Sequence, residues 1–148
     1  MKQFGWYRMS CLALVAGTTM AATLAGCSGK DGPDATLDAF LSGWRSGKLD
    51  GVGFVDSAGT GVPASDIAAQ IKSLSGDLAK TPPKLTVASK PKESKGLATA
   101  EVRVDWTVAG SVHWTYPTTI RLTKVKDGWR VIWQPAIVQK ELTDGDVL

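Results

Sequence analysis

Histidine and cysteine are almost missing from this chain, which has one His and two Cys in 148 residues. That scarcity works against metal chemistry, because a zinc site takes three or four His, Cys or carboxylate ligands. No metal and no cofactor is expected. A disulfide scaffold is also excluded if Cys11 leaves with the N-terminal segment, as argued below, since Cys27 then has no partner. Nor is there an excess of either charge: 17 Lys and Arg stand against 14 Asp and Glu. A footprint for nucleic acid is therefore lacking.

What is present begins with a leader. Lys2 and Arg8 precede an apolar, small-residue run from Cys11 to Ala25, too short for a comfortable membrane span and shaped like a secretory signal. Leu24-Ala25-Gly26-Cys27 then resembles the lipobox of bacterial lipoproteins. The resemblance implies that the Cys27 thiol takes a diacylglyceryl group, that cleavage follows, and that Cys27 becomes the mature N-terminus. Two or more acyl chains bury enough methylene for stable anchoring where one does not. The competing reading is an unmodified Cys27 near an ordinary signal-peptidase site. The expected organisation is a signal at 1–26, a lipidated tether at 27–32 and one domain at 33–148, held on the outer face of the cell membrane. Without Lys2 and Arg8 the basic count falls to 15, so that domain is nearly neutral.

Glu101 to Gln134 organises the domain. Val102, Val104, Trp106 and Val108 alternate with polar residues, as do Val112, Trp114, Tyr116, Ile120 and Leu122, which is the period of half-buried strands. A three-residue loop at Ala109-Gly110-Ser111 keeps both apolar sets on one face and sets Trp106 opposite Trp114. Asp127-Gly128 reads as a two-residue turn that places Leu122 opposite Trp133 and Lys124 opposite Val131. At Pro117, which cannot donate to a ladder, a bulge or interruption is expected.

Upstream, Pro33 opens a helical segment with Leu37, Phe40, Leu41 and Trp44 on one stripe, and Gly47 stops it. Asp50 to Val62 reads as a glycine-rich connector packed on the core. Ser65 is the expected N-cap of a second helix with Ile67, Ile71, Leu74 and Leu78 as its buried edge. Leu85 and Val87 mark a further strand, and Lys90 to Gly96 reads as turn. Two helices followed by about four antiparallel strands give an α+β two-layer domain.

The order of these elements, the segment PDATLDAFLSGWRSGKLD and the run WTVAGSVHWTYPTTIRLTKVKDGWRVIWQPAIVQKEL resemble the N-terminal domain of lipoprotein class B penicillin-binding proteins. That family has a nuclear-transport-factor-2-like, or cystatin-like, cone. The resemblance implies a non-catalytic module that holds a transpeptidase off the membrane, with the catalytic serine in a later domain. It also implies partners in the membrane and in a transpeptidase or other cell-wall enzyme, and a link to the β-lactam response. After Thr143-Asp144-Gly145-Asp146 the chain stops where that family continues, which leaves a fragment and a stand-alone version both open.

The residues themselves assemble no catalyst. Ser89-Lys90-Pro91-Lys92 fits S-x-x-K in letters only, beside a proline and with no K-T-G in the chain. Gly51-Val52-Gly53-Phe54 lacks the third glycine and the preceding strand of a dinucleotide loop. His113 is the one candidate acid–base group, with Asp105 within reach on the face opposite the core, where a solvated or paired histidine is the ordinary reading. Trp44, Trp106, Trp114 and Trp133 are candidate core or pocket aromatics. Lys80, Lys84, Lys90, Lys92 and Lys95 read as a charged edge that discourages strand pairing. Two rival functions stay open: a small-ligand-binding lipoprotein using a cone-shaped pocket, and a minor enzyme if His113 and a carboxylate converge inside it.

Overall fold

The computed structural model of the chain describes residues 32–108 and 111–140. The expectations for the signal, for Cys27 and most of its tether, for Gly110 and for Thr143 to Asp146 lie outside the described residues. Helix α1, Pro33–Ser46, begins with Pro33 at its first turn and ends at Gly47, whose left-handed φ of 71° lets its N–H return to the Gly43 carbonyl. Leu37, Phe40, Leu41 and Trp44 form its buried stripe. The chain then doubles back so tightly that a Cβ on Gly43 would sit 2.6 Å from the Lys48 carbonyl oxygen. That close approach packs Leu49 onto the core.

The connector is not a plain loop. It contains strands β1, Phe54–Val55, and β2, Gly61–Val62, joined by a turn in which Asp56 Oδ1 accepts from the N–H groups of Ala58 and Thr60 at 2.9 and 2.7 Å. Two-residue strands carry no periodicity, so alternation gives no sign of them. Helix α2, Ala64–Ser75, starts after Pro63 rather than at Ser65. Ser65 lies inside the first turn, where its hydroxyl meets Asp66; the φ fixed by Pro63 at −62° already sets the entry. Ile67 and Ile71 are buried, and a 3-10 stretch, Gly76–Lys80, carries Leu78 against the core.

Strands β3, Lys84–Ser94, β4, Leu97–Val108, β5, Val112–Val125, and β6, Gly128–Ile132, complete one sheet of six strands in the order β2-β1-β6-β5-β4-β3. The expected sheet of about four antiparallel strands is thus corrected in number and in sense, because β1 runs parallel to β6 with Phe54 beside Val131. A further correction concerns Lys90 to Gly96. Residues through Ser94 belong to β3, and the turn is only Lys95-Gly96, both with positive φ. The irregularities expected at Pro117 fall instead in β3, between Val87 and Ser89 and between Ser89 and Lys92. Pro117 pairs with Arg103 in an unbroken β4–β5 ladder. The ladder accommodates it because β6 reaches only to Arg121, leaving β5 with no second neighbour at Pro117.

Trp106 does face Trp114, with three residues between Val108 and Val112. The β5–β6 turn is shifted by one residue to Lys126-Asp127, with Gly128 at φ 124°, so Leu122 faces Val131 and Lys124 faces Trp129. This register slides the pairing by two from the expected one and therefore keeps every inward residue inward. After β6 the chain makes a 3-10 turn, Pro135–Ile137, that buries Ile137 and Val138. The core lies between one sheet face, α1, α2 and this C-terminal turn. Strand β3 is an outer edge and bears Lys84, Pro91 and Lys92, residues that disfavour pairing with another sheet.

Candidate functional site

Two places gather the residues singled out in the sequence: a cleft beside the helix ends and the tip of the β4–β5 hairpin. The cleft exists because α1 and α2 both terminate over the sheet while Pro82-Pro83 brings the chain into β3 beneath them. Its volume is about 540 Å³, and Trp44, Trp106, Ile71 and Ser75 are among its walls. Trp44 and Trp106 meet edge to face at 6.4 Å and 61°, a favourable aromatic geometry. Phe40 continues the stack, 5.8 Å from both Trp44 and Phe54. Trp44 Nε1 and Ser75 Oγ are buried without a hydrogen-bond partner among the described residues.

Behind this wall lies a group that alternation alone does not mark as special. Tyr116 is buried, accepts from the Trp106 indole at 3.3 Å and donates to the Val138 carbonyl. Burial pushes its hydroxyl from 10.0 up to about 12, against a smaller lowering by the Trp106 bond. An un-ionised hydroxyl is thus kept between an N–H donor and a carbonyl acceptor, pinning the C-terminal turn to the sheet. Trp133 Nε1 donates to Gln70 Oε1 at 2.8 Å, and Gln139 Nε2 to the Leu74 carbonyl at 2.8 Å. These bonds dock α2 on the same turn. The signal for them in the sequence is only that a buried Tyr or Trp needs a polar partner.

Trp114 corrects the core assignment. It is 40% exposed and Val112 is 61% exposed, whereas Trp106 and Trp133 are 2% and 5%. Parity is right and cover is missing: β3 begins opposite Asp105 and β6 ends opposite Arg121, so the hairpin tip projects as a two-stranded ribbon past its neighbours. The Trp114 ring lies 4.8 Å from that of Tyr116, two residues along its own strand.

His113 Nδ1 lies 2.8 Å from Asp105 Oδ1, and the side chains are 57% and 27% exposed. The pair sits on the other sheet face from Trp106, and neither residue lines the cleft. Ser89 lies mid-strand in the edge β3, its Oγ accepting from the Glu101 N–H at 3.2 Å. Its hydroxyl is thus engaged in the β3–β4 strand pair. Among the described residues, no group of three His, Cys, Asp or Glu side chains converges on a metal position, and no helix is long and apolar enough to cross a membrane.

Two helices over a curved, mixed sheet, with a cleft at the open end, define an NTF2-like fold. Residues 32–146 match the family described as the NTF2-like N-terminal transpeptidase domain, and the chain belongs to that family. No curated protein matches it. Solved structures similar to it include an NTF-2 like protein of unknown function from Shewanella oneidensis MR-1, 18% identical over 66% of this chain and 88% of that one, with a TM-score of 0.42. A putative calcium/calmodulin-dependent protein kinase type II association domain from Thiobacillus denitrificans is 19% identical over 69% and 90%, with a TM-score of 0.46. An NTF2-like superfamily protein from Salmonella enterica serovar Typhimurium is 19% identical over 67% and 82%, with a TM-score of 0.37.

Proposed function

We propose that this protein is a non-catalytic module of cell-wall transpeptidation, held on the outer face of the cell membrane by lipid on Cys27. It acts there as a spacer or interaction domain for a transpeptidase, and its part in the β-lactam response follows from that association. The observation that carries this reading is the family match across 32–146. It is supported by the separation of the candidate polar groups: His113 and Asp105 meet on the open sheet face, whereas neither a histidine nor a carboxylate lines the cleft. An acid–base pair on the outer sheet face, away from the cleft, lacks the enclosure that would orient a substrate or sharpen its electrostatics.

Anchoring rests on Leu24 to Cys27 and is tested by Cys27→Ser. The wild type should partition with membranes and incorporate a fatty-acid probe, and the variant should do neither. Membrane association that survives the substitution would remove the lipid from this account.

A further inference from the structure

The cleft has a charge character that the fold does not require. Its walls near the sheet are apolar, supplied by Trp44, Trp106, Ile71 and the Pro82-Pro83 pair. Its charged lining residues are Arg45, Lys72 and Lys80, and no carboxylate lines it. Part of this pattern answers the helices themselves, because α1 and α2 both end here and a helix C-terminus carries partial negative charge. Arg45 Nε donates to the Leu41 carbonyl at 3.3 Å, and Lys80 pairs with Asp77 at 3.0 Å. Lys72 takes part in no ion pair among the described residues. Trp44 Nε1 and Ser75 Oγ lie beneath the wall, buried away from the cleft and without partners among the described residues.

We propose that this cleft binds a small molecule with an apolar body and one anionic head group. The body lies against Trp44, Trp106 and Ile71, and the head meets Lys72 at the rim. The volume of about 540 Å³ falls in the range of small-ligand sites, which are mostly apolar with a few placed polar groups. Charge selects the class: no carboxylate lines the cleft to receive a cationic head, the three basic side chains outweigh the negative ends of the two helices, and a neutral head would leave Lys72 unused. The site is independent of Cys27 and of any transpeptidase partner.

Octanoate is a suitable probe, compared with octanol and octyltrimethylammonium, which keep the body and change the head. In the 15N-labelled full chain, octanoate should shift the indole N–H signals of Trp44 and Trp106 saturably. Octanol should bind more weakly and the cation least. Lys72→Glu, at an exposed position, should weaken octanoate by roughly three- to tenfold, as expected for reversing a solvent-exposed ion pair, and leave octanol unchanged. Ala79→Trp, at an exposed wall position, should block all three without altering the far-ultraviolet circular dichroism. Shifts confined to the exposed Trp114, equal binding of octanoate and octanol, or octanoate binding indifferent to Lys72→Glu would each overturn the proposal.

Discussion

Gly43 shows how much a single missing methyl group decides. Its position in a helix favours alanine by about 1 kcal/mol, but a Cβ there would meet the Lys48 carbonyl oxygen at 2.6 Å and Leu49 Cδ2 at 2.7 Å. The oxygen belongs to backbone and cannot swing aside, and overpacking of this kind costs about 1–3 kcal/mol. Gly43→Ala should therefore be destabilising on balance, read as a lower urea midpoint with an unchanged slope. Tyr116 is the second such residue. Tyr116→Phe leaves the Trp106 indole and the Val138 carbonyl without their partner in the interior, a loss of about 1–3 kcal/mol. Because its folded pKa is raised from 10.0 to about 12, the native state holds a proton that the unfolded chain releases. Its stabilising contribution is complete below pH 10 and is lost as pH rises toward 12. In a Tyr7→Phe background, tyrosinate absorbance should titrate near the higher value in the folded protein and near the lower one in urea. A single ordinary titration in both would contradict the buried network.

Most of the long elements were legible, β3 excepted, because its irregularities around Ser89 break the alternation on which a strand is recognised. The α1 stripe, the inward parity of β4 and β5 and the Trp106–Trp114 pair all follow from periodicity, since helical and strand spacings each repeat enough times to stand out. Strands β1 and β2 did not, because two residues repeat nothing and their pairing partner β6 lies far along the chain. Pattern gave Trp114 the correct face but had no means of saying where β3 and β6 stop beside it. The cleft is of the same kind: Trp44, Ile71 and Trp106 belong to three separate elements, and their meeting is a tertiary fact. Covered and uncovered tryptophans should consequently differ in energy. Trp133→Ala removes a buried ring and its bond to Gln70 and should cost about 3–5 kcal/mol. Trp114→Ala loses a half-covered contact and should cost about 1 kcal/mol or less, and His113→Ala on the open face similarly little. A denaturation series with Trp114 costlier than Trp133 would show that the hairpin tip is packed.

As a whole molecule, the domain offers a nearly neutral body with one lysine-bearing sheet edge and one projecting ribbon. Acylation by a β-lactam needs an activated serine with oxyanion donors aimed at the developing charge. Ser89 lies mid-strand, Ser65 in a helix turn, and Ser75 Oγ is buried without a partner among the described residues. Purified protein should accordingly take up no fluorescent penicillin, even after prolonged incubation, and a stable adduct on any serine would replace the non-catalytic reading with an enzymatic one.

The parallel seam between β1 and β6 also bears on synthesis. Phe54 must wait for Val131, Gln70 for Trp133 and Tyr116 for the Val138 carbonyl, so the N-terminal half emerges from the ribosome with its partners still untranslated. Contacts this distant in sequence slow folding, because the chain entropy of closing the loop is lost before the contacts reward it. Until those last strand residues are free, β1 has no neighbour on one side and α2 lacks its dock. The nascent domain must stay unfinished, and open to whatever holds unfolded chains, until almost all of it has been made.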